Sequence, residues 1–408
     1  MGNKLDSFIL FVSNVFFFFL CSTKWMAGYN ISAGLAVLTI LWIRFKMKRK
    51  LSFFPALFFV GYVLFMGGLL LASYLSGDEA SMRVASKFVK YSISLWICFF
   101  LLQQDISLVP AAQWGMIAGT NVLNITAVHE VWKAQRLQRV YGSFGSPNHL
   151  AMVMEIILPF LLLNTFLTVK KVNRESPRHQ KLLAVLSVIT SILAIGSIVL
   201  SQSRGGIAGF LLGAIVALSA VFLSRYGLTI TKKISALFLV FILSGAVVFG
   251  FTTNYLKRSY DSERILLLTS AYRMWQDHKL YGVGISRWND IYRKKYILPG
   301  AKEPTLTLPH NNIANFFSGS GILGGGGFVI FMLSSLVYLI LTIQKRKENR
   351  YSYAMLWVWI AISVHGMVDN SMFGRYNDRL FFAMWGLTLA AIQQEKLRLA
   401  AKNHLNQL

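Results

Sequence analysis

The chain has 408 residues, 55% of them apolar and 14% charged, with a formal net charge of +25 at pH 7. That balance excludes an ordinary soluble domain. The basic excess does not indicate nucleic acid, because most of it sits in short loops between apolar runs, and Cys21 and Cys98, both within apolar runs, imply no disulfide framework.

The apolar runs are about twenty residues long, the length that crosses a bilayer's hydrocarbon as helix. Inside lipid the backbone must satisfy its own hydrogen bonds, so the runs are helices. A β-barrel would alternate apolar and polar residues, and Phe53 to Leu71 does not. Twelve spans are predicted, at roughly 7–23, 28–44, 52–74, 87–103, 107–125, 148–169, 182–202, 205–223, 234–253, 312–343, 353–368 and 380–394. The first follows Lys4 and has the look of a signal peptide. Cys21-Ser-Thr-Lys-Trp-Met is a poor small-residue cleavage site, so the run is expected to be a retained span. The fold class expected is an all-α polytopic membrane protein, one integral membrane domain over residues 1–408. Residues 254–309 form a long loop between the ninth and tenth spans.

Loop charge predicts orientation. Basic clusters follow the second span (Arg44 to Lys50), the sixth (Lys170 to Lys181), the eighth (Arg225, Lys232, Lys233), the tenth (Lys345 to Arg350) and the twelfth (Lys396 to Lys402). Every one follows an even-numbered span, so the positive-inside rule places both termini in the cytoplasm. The 254–309 loop then belongs outside although it too is basic; long loops translocate largely regardless of charge. A solvated basic face near lipid headgroups would account for it. The functional reading is a site for a polyanionic ligand, with Arg258, Arg264 and Arg287 as candidate contacts. The spacing of Arg264, Leu267, Leu268, Ala271, Met274 and Trp275 predicts an amphipathic helix ending near Asp277, and Gly282-Val-Gly284 breaks the chain after it.

Four segments on the predicted outer face could carry chemistry. Arg139-Val-Tyr-Gly142-Ser-Phe144-Gly-Ser-Pro147-Asn148 precedes the sixth span, with a turn and with Asn148 as a candidate helix cap. Arg139 is either a headgroup anchor or a substrate contact. Ser201-Gln-Ser203-Arg204-Gly205-Gly206 makes a tight hairpin. It sets Arg204 at the edge of the hydrocarbon, where a charge is expensive, so Arg204 either snorkels or joins freed amides in an anion site. Arg264 is the third. The fourth is Pro309-His310-Asn311, where the long loop re-enters the membrane. Imidazoles titrate near neutrality, which suits His310 as a candidate base beside Asn311. The Gly319 to Gly327 run lacks the Gly-Lys-Ser/Thr of a phosphate loop and suits close helix packing. The outward acids are scattered, with Asp261 and Glu263 nearest to a metal pair, so no metal site and no cofactor are expected.

Together these segments resemble the O-antigen ligase and O-antigen polymerase superfamily of bacterial envelope glycosyltransferases. The resemblance rests on Arg-x-x-Gly-x-Phe-x-x-Pro-Asn at 139–148, Ser-Arg-Gly at 203–205, Arg264 ahead of Gly282-Val-Gly284, and His310-Asn311 followed by nine residues and Gly321. The stretch His365-Gly-Met-Val-Asp369 is similar to the family's late spans. It implies a GT-C-like helical fold in the bacterial inner membrane with a periplasmic site. The donor would be undecaprenyl-diphosphate-linked O-antigen and the acceptor lipid A–core. Transfer would be metal-independent and inverting, with Arg204 and Arg264 on the diphosphate, Arg139 assisting and His310 acting on the acceptor hydroxyl. An O-antigen polymerase joining lipid-linked repeats is the alternative, and a protein O-oligosaccharyltransferase a third reading. A polysaccharide transporter or flippase would carry ionisable groups near the bilayer middle. Here Glu155, ahead of Pro159, is the one clear acid inside a span, and a neutral or paired buried acid explains it.

Overall fold

The computed structural model describes residues 2–48, 50–104, 106–226, 229–255, 261–301 and 308–405. Among them lie fifteen α-helices and no strand. In chain order they are α1 (Gly2–Ser22), α2 (Met26–Phe45), α3 (Ala56–Leu75), α4 (Glu79–Leu102), α5 (Leu108–Ala134), α6 (Pro147–Lys171), α7 (Arg178–Ser201) and α8 (Arg204–Ser224). There follow α9 (Ile230–Tyr255), α10 (Asp261–Asp277), α11 (Trp288–Ile291), α12 (Asn312–Gly321), α13 (Gly327–Lys345), α14 (Arg350–His365) and α15 (Arg375–Leu405).

Each predicted span falls on a helix, but the tenth is divided. A π-helical turn, Ile322–Gly326, separates α12 from α13. Among the described residues nine helices are long and apolar enough to cross a membrane, with Asn312–Lys345 counted as one. The protein is therefore an integral membrane protein. The nine fall three short of the twelve predicted, and α5, α14 and α15 are the difference. α14 has 16 residues, under the twenty or so a perpendicular span needs. Gln113, Asn121 and Asn124 interrupt α5, and the apolar run of α15 stops at Gln393.

Burial separates the helices by role. α6 packs against α5, α7, α8, α14 and α15, and 78% of its apolar window is buried, against 6% for α9. A helix apolar on all sides and uncovered by protein is one that lipid covers. The glycines of the divided span work as small packing residues. A Cβ on Gly327 would stand 2.6 Å from the Leu64 carbonyl oxygen, and one on Gly68 would stand 2.2 Å from that of Leu323. α3 therefore lies directly against the π turn and the start of α13.

The two ends of the bundle carry different polar structure. At one end Gln394 Nε2 donates to the carbonyls of Leu102, Gln104 and Ile106, and Glu395 accepts from Asn349. These groups belong to connections that follow even-numbered spans. At the other end the starts of α6, α8 and α12 meet the ends of α7 and α14.

Residues 261–301 build a small core of their own. Leu267, Ala271 and Met274 of α10 pack on Val283, Trp288, Tyr292 and Tyr296. The buried stripe is the one the spacing predicted, and α10 ends at Asp277. Gly282 and Gly284 have φ of +70° and +93°, a region other residues enter only with strain. This turn docks on α12, with Val283 N–H donating to the Ser318 carbonyl and Ile322 N–H to that of Lys279.

Candidate active site at one end of the bundle

The first segment folds as a turn whose cap is not the one expected. Ser146 caps α6 by accepting from Asn148 N–H, and Pro147 takes the first helical position, where its missing N–H costs nothing. Asn148 is thereby released from capping. Its Nδ2 donates to Asp369 Oδ2 at 2.6 Å, while its Oδ1 accepts from Arg139 at 2.8 Å. Arg139 Nε also donates to the Ser201 carbonyl at 2.9 Å. One guanidinium thus ties the turn before α6 to the hairpin that joins α7 and α8.

That hairpin turns on Gln202, at φ +49°, and Ser203 caps α8 by accepting from Gly206 N–H. Arg204 is the first residue of α8 and half-buried. Its two neighbours in sequence both meet His365. Ser203 Oγ lies 3.4 Å from His365 Nε2, and a Cβ on Gly205 would fall 2.6 Å from His365 Cδ2. On its other side the buried His365 imidazole pairs with buried Glu155, Nδ1 to Oε1 at 3.1 Å. Glu155 is thus a paired buried acid, as the plain reading of the sequence had it. The Arg264 guanidinium, at the start of α10, lies near enough for its charge to act on the same imidazole.

His310 and Asn311 lead into α12. Asn311 is the cap: its Oδ1 accepts from Ala314 N–H, and its Nδ2 donates to the Met367 carbonyl. Asn312 N–H donates to the Gly366 carbonyl, and its side chain bonds Ser371 and Met372 N–H. The start of α12 is therefore stitched to the turn after α14, which sets His310 beside Asp369. Nδ1 of His310 and Oδ1 of Asp369 are 2.9 Å apart, and the imidazole is a third exposed while the carboxylate is 14% exposed. His310 has φ +50°. A non-glycine residue held there stores strain, which concentrates at functional sites.

Burial would push the Asp369 carboxyl up. The hydrogen bond and charge of His310, the charge of His365 and the Asn370 N–H outweigh it and hold the group well below the usual carboxylate range. An ionised Asp369 accepts from Nδ1–H and leaves the lone pair on Nε2, the tautomer a general base needs. Glu155–His365 and Asp369–His310 are two separate pairs rather than a ligand set: among the described residues no three His, Cys, Asp or Glu side chains converge on one point.

Of the residues singled out from sequence, His310, Asn311, Arg204, Arg264 and Arg139 gather at this end of the bundle. Arg287 stands elsewhere, at the start of α4, where its charge acts on Asp78 and the Gly284 turn packs on its side chain. Arg258 lies outside the described residues. Sequence reasoning gave no role to Asp369 or His365 and the wrong one to Asn148. The alternation of spans could have found Asp369, since it puts the end of α14 on the same side as the start of α12.

No curated protein matches the chain. Residues 189–329, from mid-α7 to the start of α13, match the family model described as O-antigen ligase. The match takes in Arg204, Arg264 and His310, and it bears out the resemblance to the superfamily of O-antigen ligases and polymerases.

Proposed function

We propose that the protein is an O-antigen ligase. It transfers a glycan from undecaprenyl diphosphate to a terminal sugar of lipid A–core, at the periplasmic face of a bacterial inner membrane. In this reading residues 1–408 form one GT-C-like membrane domain with cytoplasmic termini. Residues 254–309 are the long periplasmic loop between the ninth and tenth spans.

The observation that carries the proposal is the His310–Asp369 pair, at the same end of the bundle as the arginines of α8 and α10 and partly within the matched segment. His310 Nε2 takes the proton of the acceptor hydroxyl, a step that contributes roughly 10²–10⁴ in rate. The hydroxyl oxygen attacks the anomeric carbon from the face opposite the leaving group, so configuration inverts. The bond from that carbon to the diphosphate breaks, and the diphosphate leaves with the electron pair. Arg204 and Arg264 meet the charge that grows on it. Guanidinium forks bind phosphate oxygens bidentately and stay charged at any working pH. A positioned donor to developing charge is worth about 3–4 kcal/mol, so two or three arginines can take the place of a metal.

The test is reconstitution of the purified protein with undecaprenyl-diphosphate-linked glycan and either lipid A–core or a second lipid-linked repeat. Glycan on lipid A–core is the expected product. Lengthening of the lipid-linked repeat in its place would assign the polymerase reaction, and no transfer to either acceptor would overturn the enzyme assignment.

A further inference from the structure

The end of the bundle away from His310 holds a second feature. α6, α8 and α14 leave a cavity of about 650 Å³ between them. Its walls are apolar, from Pro159 and Leu163 of α6, Ala217 of α8 and Trp357 of α14. Its rim is basic: Arg225 at the end of α8, Lys347 in the α13–α14 turn and Arg350 at the start of α14, against the single acid Glu348. The cations come from three elements that only the fold brings together. Arg350 is partly fixed by stacking over Phe166.

Depth and charge specify the occupant. Its lining runs from Ala217 to Arg225 along α8 and from Arg350 to Trp357 along α14, about 10–12 Å at 1.5 Å per residue. That is most of one leaflet's share of a hydrocarbon layer about 30 Å thick. The cavity therefore reaches from the level of its cations most of the way to the midplane, room for the upper part of one acyl chain in one leaflet, with its positive charge at the headgroup end. Basic recesses between helices at the membrane surface select anionic headgroups.

We propose that this cavity holds an anionic glycerophospholipid, its acyl chain between α6, α8 and α14 and its phosphate on Arg225, Lys347 and Arg350.

Native mass spectrometry of the detergent-purified full-length protein tests it, with phosphatidylglycerol and phosphatidylcholine added in turn. Retention of phosphatidylglycerol over phosphatidylcholine is expected. The double variant Arg225→Gln/Arg350→Gln should lower that retention roughly thirtyfold, and Ala217→Phe, which fills the wall, should abolish it. Equal retention of both lipids by the unaltered protein would overturn the proposal even if the variants fail to fold. So would undiminished retention by Ala217→Phe, or binding of undecaprenyl phosphate where phosphatidylglycerol does not bind.

Discussion

His310 Nδ1 stands 2.9 Å from Asp369 Oδ1, although 59 residues separate them in the chain. Asn148 holds the second oxygen of the same carboxylate at 2.6 Å and is itself held by Arg139. The chain Ser201–Arg139–Asn148–Asp369–His310 therefore runs from the α7–α8 hairpin to the start of α12. Both carboxylate oxygens are occupied, so Asp369 cannot rotate away from the imidazole without breaking a charge-assisted bond. Residues of the matched segment and residues outside it share this one network.

Replacing His310 by alanine should cost roughly 10²–10⁴ in transfer rate; the chain should still fold, since the imidazole is a third exposed, with a lower unfolding midpoint because Asp369 loses its partner. Product formation with purified protein measures the first, and the unfolding midpoint in detergent the second. Full activity in this variant would remove His310 from the chemistry.

Asp369→Asn keeps the shape but lets the amide offer a donor to Nδ1, which favours the wrong tautomer. Activity should fall at least about a hundredfold, in line with changes to carboxylates that orient a histidine. Stability gives a second readout with a definite sign. The folded-state value of Asp369 lies below the ordinary carboxylate range, so its contribution is complete above about pH 4 and is lost as pH falls toward the folded value. The gap in unfolding midpoint between the wild type and Asp369→Asn should narrow as pH falls below about pH 4. A gap that vanishes near neutrality would contradict the assignment.

Arg204→Lys and Arg264→Lys keep the charge and lose the fork. Each should reduce kcat by roughly 10²–10³, the scale of removing one donor to a developing oxyanion. Lysine variants with unchanged kinetics would show that charge alone, or neither residue, serves the diphosphate.

Gly205→Ala tests the packing beneath Arg204. Its Cβ would stand 2.6 Å from His365 Cδ2 and 2.7 Å from Val368 Cγ2, too near for atoms of a buried ring pinned by Glu155. A cost of about 1–3 kcal/mol is expected from overpacking, read as a lower unfolding midpoint. An unchanged midpoint would mean that the contact is looser than described.

EDTA should leave transfer by the purified protein unchanged, since the reading assigns the diphosphate charge to arginines. Inhibition that added Mg²⁺ or Mn²⁺ reverses would require a metal in the mechanism.

Sequence periodicity and composition sufficed for much of this. The helical class follows from runs of bilayer length, and the buried stripe of α10 from residues at 267, 271 and 274, because both depend on distances along one helix. The Gly282-Val-Gly284 break was legible for the same reason: a positive φ is a local demand. Partnership across the chain was not. Asn148 reads as a cap because caps are local, yet with Ser146 capping α6 its amide became a bridge between Arg139 and Asp369. The division of 312–345 into α12, a π turn and α13 depends on how closely α3 approaches the glycines, and no spacing records that. Asp369 beside His310, and the Glu155–His365 pair beneath Gly205, exist only once α6, α8, α12 and α14 are packed. Side chains far apart in sequence acquire meaning from three-dimensional proximity, whereas hydropathy and backbone preference act residue by residue.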